Sequence, residues 1–230
     1  MNPAVLLLTA LSFLAAESPA APAAAPRVVA DSVRGFSGQQ GANGWFYGYW
    51  DRSADRDDTY DPATDFALLW HFGRDPKNGL VGRSEFTTGE LWNLEDGRFY
   101  TSLWAEGGHP HGKLKLGSYA QAEHWVVRRW VSPVAGVVTI RGQAGKVMPW
   151  GENWRGGGQA LLVVDGKTLY RADLGNTETA YAIEATLRIG SRVDFLLGPN
   201  PSIGVMKFTA TIEERDPASR AARRGRDRRR

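Results

Sequence analysis

From Arg27 to Glu214 the apolar positions recur with a period of two, in short runs closed by Gly, Pro, Asn or Asp. That period is the signature of half-buried strands. GWFYGYWD (44–51) places Trp45, Tyr47 and Tyr49 on one face of a strand and Phe46 and Trp50 on the other. FALLWHF (66–72) and RFYTSLWAE (98–106) read the same way, and HWVVRRWV (124–131) and GVVTIRG (136–142) flank a turn at Ser132-Pro133. QALLVVDGKTLYRAD (159–173) is the clearest hairpin, because Asp165-Gly166 tolerates the positive φ angles of a type I′ turn. AYAIEATLRIG (180–190), RVDFLLG (192–198) and GVMKFTATIEE (204–214) complete the series. No helical stripe exceeds two turns. About ten to twelve short strands without crossover helices predict an all-β, antiparallel β-sandwich of the jelly-roll kind. No internal repeat is visible, which argues against a propeller or a solenoid.

The ends of the chain break this pattern. Residues 4–15, AVLLLTALSFLA, have the length of a signal-peptide core and are too short for a membrane span. An Ala/Pro-rich stretch follows, with Ser18-Pro19-Ala20 as a cleavage option. The expected organisation is a signal peptide and linker over 1–26, a sandwich domain over 27–214 and an Arg-rich tail over 215–230. The expected location is secreted, periplasmic or in the cell envelope. The tail carries eight Arg and two Asp, so it accounts for +6 of a net charge of +3 and leaves the remainder at −3. A basic nucleic-acid-binding domain is therefore not expected, although the tail has the charge to touch polyanionic surfaces.

Composition narrows the chemistry. The chain has no Cys, which removes disulfides, Cys-ligated metals and a cysteine nucleophile. Its nine Trp all fall between positions 45 and 154. Aromatic side chains offer flat apolar faces to the C–H faces of pyranose rings, with polar groups at the rim fixing orientation. The candidate platforms are Trp45, Tyr47 and Tyr49 on one strand, and Trp150 and Trp154 in the loop VMPWGENWRGGG with Glu152, Asn153 and Arg155. Gly156-Gly157-Gly158 lacks the Lys-Ser/Thr and the helix of a phosphate-binding loop, so it reads as a turn.

His109-Pro110-His111 has the look of a metal-ligand pair, with His71 or His124 as a third imidazole, but no Glu follows it as in a cupin motif. No tightly bound metal is expected from it, and His109 and His111 are retained as ligand-binding candidates. Asp51, Asp55, Asp57, Asp58 and Asp61 are dense enough for a structural calcium, yet Tyr60 and Phe66 stand where an EF-hand needs Gly and Glu. A solvated loop is the favoured reading, and no cofactor is expected. The carboxylates are too many to single out a glycosidase pair, and no nucleophile elbow is present.

DSVRGFSGQQGANGWFYGYWD, the His-Pro at 109–110, RRWVSPVAGVVTIRG and the VVDGKTLY hairpin together resemble a group of secreted bacterial β-sandwich domains, mostly uncharacterised. These are similar to the galactose-binding-like, carbohydrate-binding modules of carbohydrate-active proteins. The resemblance spans most of residues 31–210, and it departs at Gly156–Gln159, where an Asp is usual among the glycines. It implies a carbohydrate partner held on exposed aromatics. The alternative is a polysaccharide lyase or glycoside hydrolase on the same scaffold, using His109, His111, Arg155 and a carboxylate or Tyr.

Overall fold

The computed structural model describes residues 26–73, 89–113, 119–146, 157–200 and 204–215. The described chain is all-β, with a single 3-10 turn at Ala42–Gly44. Its strands are β1 (Arg27–Asp31), β2 (Trp45–Asp51), β3 (Ala67–Leu68), β4 (His71–Gly73), β5 (Leu91–Asn93), β6 (Ser102–Leu103), β7 (Gly107–His109), β8 (His124–Val131), β9 (Gly136–Lys146), β10 (Gly157–Val164), β11 (Lys167–Leu174), β12 (Thr179–Leu187), β13 (Arg192–Asn200), β14 (Met206–Phe208) and β15 (Thr211–Glu214). They form two antiparallel sheets. The first has the order β1-β15-β9-β14-β7-β6-β5-β4, with β12 also paired to β9, and the second has the order β11-β10-β13-β8-β2-β3.

Fifteen strands stand where about ten to twelve were expected. The surplus comes from strands of two or three residues, too short to repeat the alternation. FALLWHF divides into β3 and β4 around Trp70, and only Ser102–Leu103 of 98–106 is paired in a strand as β6. The hairpin at 165–166 is built as the residues require, with φ of 48° at Asp165 and 84° at Gly166.

The main core lies between the sheets. Trp45, Tyr47, Trp92, Val126, Trp130, Ile140, Leu162, Phe195, Phe208 and Ile212 belong to one buried cluster. Trp45 meets Trp130 at 6.4 Å and Phe195 at 6.1 Å, and Tyr47 stacks on Trp92 at 5.7 Å and 13°. A second cluster lies on the other face of the second sheet. It comprises Trp50, Tyr60, Trp125, Val127, Leu161, Val163 and Leu196, with Phe66 packed against it. Among the described residues no further sheet covers that face; the segment between β2 and β3 does.

Candidate functional site

Strand register arranges the outer face of the second sheet in rows. Gln159, Gly198, Trp125 and Trp50 fall in one row across β10, β13, β8 and β2. Leu161, Leu196, Val127 and Gly48 form the next, followed by Val163, Asp194, Arg129 and Phe46. At the β11 edge Arg171 lies opposite Leu161 and Thr168 opposite Val163, because a register shift beside Leu162 lets the strand skip Leu169. Gly198 is required here. A Cβ at that position would run into the indole of Trp125, which therefore lies flat across β13.

The segment from Arg52 to Phe66 shapes the wall. Its aspartates cap their own backbone: Asp51 Oδ1 accepts from Ser53 N at 3.0 Å, Asp57 Oδ1 from Thr59 N at 2.9 Å and Asp61 Oδ1 from Ala63 N at 2.8 Å. These are Asx turns, the local use of Asp that competes with regular structure. The acidic density noted for calcium is thus engaged in turn formation. Among the described residues no group of three His, Asp or Glu side chains is placed to hold a metal ion.

The turns deliver Tyr60 and Phe66 onto the sheet. Arg129 anchors them: its Nε and Nη2 donate to Asp194 at 2.7 and 2.8 Å, Nη2 also donates to the Pro62 carbonyl at 2.8 Å, and Phe66 lies over the guanidinium at 3.9 Å. The Tyr60 hydroxyl donates to Asp194 at 3.0 Å, and burial pushes its pKa far above the usual tyrosine value. Burial pushes the Asp194 carboxyl up against the pull of Arg129, whereas Asp194 holds Arg129 above the ordinary arginine value in spite of burial. The bidentate geometry is that of an ionised pair.

Between this wall and β11 a cavity of about 190 Å³ opens, lined by Trp50, Trp125, Tyr60, Leu161 and Val163, with Arg52, Asp58, Thr59, Gln159, Gly166, Thr168 and Arg171 also contributing. The floor is aromatic and aliphatic, and the rim is polar. Both indole N–H groups are engaged, Trp50 Nε1 donating to Asp55 Oδ2 at 3.1 Å and Trp125 Nε1 to Glu123 Oε1 at 2.9 Å. Glu123 Oε1 also accepts from Arg52 Nη1 at 2.8 Å, and Arg52 Nε meets Asp58 Oδ1 at 3.2 Å. Trp50, Trp125 and Arg52 are therefore each held by a carboxylate outside the lining, which is how a pre-formed site is kept in shape.

The residues proposed from sequence fare differently. Trp45 and Tyr47 lie in the core between the sheets and do not line the cavity, whereas Trp50 and Trp125, though each only 3% exposed, do. This corrects the expectation for that strand: the aromatic face is the one the first sheet covers. Tyr49 is half-buried, packed against the same core and 4.9 Å from His124. Trp150, Glu152, Asn153, Trp154 and Arg155 lie outside the described residues. His109 and His111, retained as ligand-binding candidates, are buried. His109 Nδ1 donates to the Pro110 carbonyl at 2.8 Å, and Tyr100 stacks on the ring at 4.6 Å. His111 donates from Nε2 to the Ala120 carbonyl at 2.8 Å and accepts the Tyr100 amide at Nδ1, 3.2 Å away. Carbonyls accept only, so each of these nitrogens carries its proton, and the amide donated to Nδ1 makes the His111 ring neutral. Burial lowers the pKa of His109 to about 4 and that of His111 below its ordinary value.

His124 invites a catalytic reading. Thr101 Oγ1 lies 2.8 Å from its Nδ1, and Asp51 Oδ2 lies 3.6 Å from its Nε2. The order hydroxyl, imidazole, carboxylate is that of a triad. Thr101, however, is 1% exposed, and Phe99 stacks on the imidazole at 4.6 Å. The hydroxyl has no open path to a substrate, and the arrangement closes one end of the core.

Sequence reasoning missed Trp50, Trp125, Tyr60, Gln159 and Arg171 as site residues. Alternation did separate Trp50 from Trp45, and that separation was the available signal. Trp70 was also missed. It is 61% exposed at the break between β3 and β4 and does not line the cavity. The chain matches no protein-family model and no curated protein sequence.

Proposed function

We propose that the protein is a secreted carbohydrate-binding β-sandwich that holds a poly- or oligosaccharide in the outer-face cavity. The observation that carries this reading is the pairing of an aromatic floor, Trp50, Trp125 and Tyr60, with a rim of guanidinium, carboxylate, amide and hydroxyl groups in one depression. Sugars need that combination: apolar contact for the C–H face and directional bonds for the hydroxyls. The volume of 190 Å³ exceeds the roughly 150 Å³ of a protein cavity that admits benzene, so one six-membered ring with its substituents matches the space. The resemblance to galactose-binding-like modules supports the same class. The aromatics at work are Trp50 and Trp125, in place of Trp45 and Tyr47.

A panel of soluble polysaccharides, followed by affinity electrophoresis and tryptophan fluorescence, tests the reading. Thr168 is exposed on the rim, so Thr168→Trp fills the cavity without deleting a core contact. It is expected to abolish binding while stability shifts by less than about 0.5 kcal/mol. Binding unaffected by Thr168→Trp would remove the cavity from the function. Release of reducing sugar or of unsaturated products from the same panel would replace the binding reading with the lyase or glycoside hydrolase alternative.

A further inference from the structure

We propose that the cavity selects saccharides carrying an anionic group, a carboxylate or a sulfate, and that Arg171 is the residue that recognises it. This rests on the carbohydrate reading of the same cavity and adds the chemical class of its ligand.

The argument is one of charge accounting along the lining. Two cations and one carboxylate face the cavity: Arg52, Arg171 and Asp58. Arg52 is already compensated. It pairs with Glu123 at 2.8 Å and with Asp58 at 3.2 Å, and the Glu123 hydrogen bond leads the contacts that raise its pKa. Its remaining N–H groups suit sugar hydroxyls, but two carboxylates share it, so it has no charge left to offer an anion. Arg171 is different. Its guanidinium makes no hydrogen bond or ion pair with another described residue. The next carboxylate along β11, Asp173, accepts from Gln159 Nε2 at 2.9 Å. One uncompensated guanidinium therefore stands at the mouth of a depression whose floor is apolar.

Position gives that charge a direction. Arg171 sits opposite Leu161 in the β10–β11 register, on the outward face, one row from Gln159. A sugar ring lying on Leu161, Trp125 and Trp50 has its edge toward β11. A carboxylate or sulfate on that edge meets the planar fork of Arg171, and two parallel N–H···O bonds give both affinity and orientation. Cations on edge strands also discourage sheet-to-sheet association, a task that Lys performs equally well. Recognition by a fork is not shared by Lys, and the two roles separate on that point.

The experiment titrates the full-length protein with three short ligands of matched length: a galacturonic acid oligomer, a sulfated galactose oligomer and the neutral galactose oligomer. Each is measured at low and at high salt, with the unaltered protein and with the Arg171→Gln and Arg171→Lys variants. The expected result is binding of at least one acidic oligomer about tenfold or more tighter than the neutral one. That preference falls at high salt, is lost in Arg171→Gln and is mostly lost in Arg171→Lys. Which acid is preferred identifies the anion as carboxylate or sulfate. Neutral oligomer bound as tightly as both acids overturns the inference and leaves the carbohydrate reading standing. A preference that survives Arg171→Gln also overturns it, assigning the attraction to other cations such as those of the Arg-rich tail. If none of the three ligands binds and the wider polysaccharide panel is also silent, the carbohydrate reading falls with it.

Discussion

Arg128 and Arg129 are neighbours on β8 and point to opposite faces of the same sheet, and the two faces treat them differently. Arg129 points outward, into a cross-strand position facing Asp194, where a carboxylate, a hydroxyl, a carbonyl and an aromatic ring surround it. Arg128 points between the sheets. Its Nη2 and Nη1 donate to the carbonyls of Trp104 at 2.5 Å and Phe208 at 3.3 Å, its Nε is buried without a hydrogen-bond partner, and burial lowers its pKa. No carboxylate among the described residues lies within ion-pair distance of it. The inner face is closed by a whole sheet, so a polar group there must settle for backbone carbonyls already in place. The outer face is closed by a loop rich in Asp and Thr, which can be moulded around a charge. A face covered by a loop also remains open where the loop ends, and the cavity lies there.

The sharpest way to break this comparison is to remove the outer cation. Arg129→Met leaves Asp194 as a buried carboxylate without its counter-charge and releases the Pro62 and Phe66 contacts. A loss of about 3–5 kcal/mol is expected from urea unfolding. A loss below about 1 kcal/mol would mean that the loop, and with it the cavity wall, is held by something other than this pair.

Acid tests the closed end of the inner core. Burial lowers His109 and His124 to about 4, against an ordinary value of 6.5. As pH falls through 6.5 the unfolded chain takes up protons that the folded chain refuses until near 4. The stabilisation is thus complete above 6.5 and is lost between 6.5 and 4. For His109 alone the loss amounts to roughly 3 kcal/mol. Unfolding free energies measured across this window should fall steeply, and His109→Gln should flatten the slope. A stability independent of pH between these limits contradicts the burial of neutral imidazoles.

The smallest effect is expected for the inner arginine. Arg128→Met loses two hydrogen bonds to carbonyls but also removes a buried charge that no carboxylate contacts, so the net change should stay within about 1 kcal/mol. A fall comparable to that of Arg129→Met would erase the distinction between the faces.

Much of this architecture was legible in the residues. Strict alternation in 44–51 and 124–131 gave β2 and β8 and sorted their side chains into two sets, and Asp165-Gly166 marked its hairpin. The short strands β3 to β7 were less visible, since two or three residues carry no period. The largest miss was the choice of face. Trp45-Tyr47 and Phe46-Trp50 are equally aromatic sets, and nothing within the strand says which one a second sheet will cover.

That division runs through the whole protein. Local sequence determined what depends on near neighbours: the alternation of faces, the primed turn and the Asx turns of 51–65, because these use backbone and side chains a few residues apart. Tertiary structure alone decided which face became core, that Asp194 would meet Arg129 across 65 positions, and that Gln159, Gly198, Trp125 and Trp50 would share one row with Arg171 in the next. These depend on strand order and register, set by how six strands distant in sequence bury the most apolar area together.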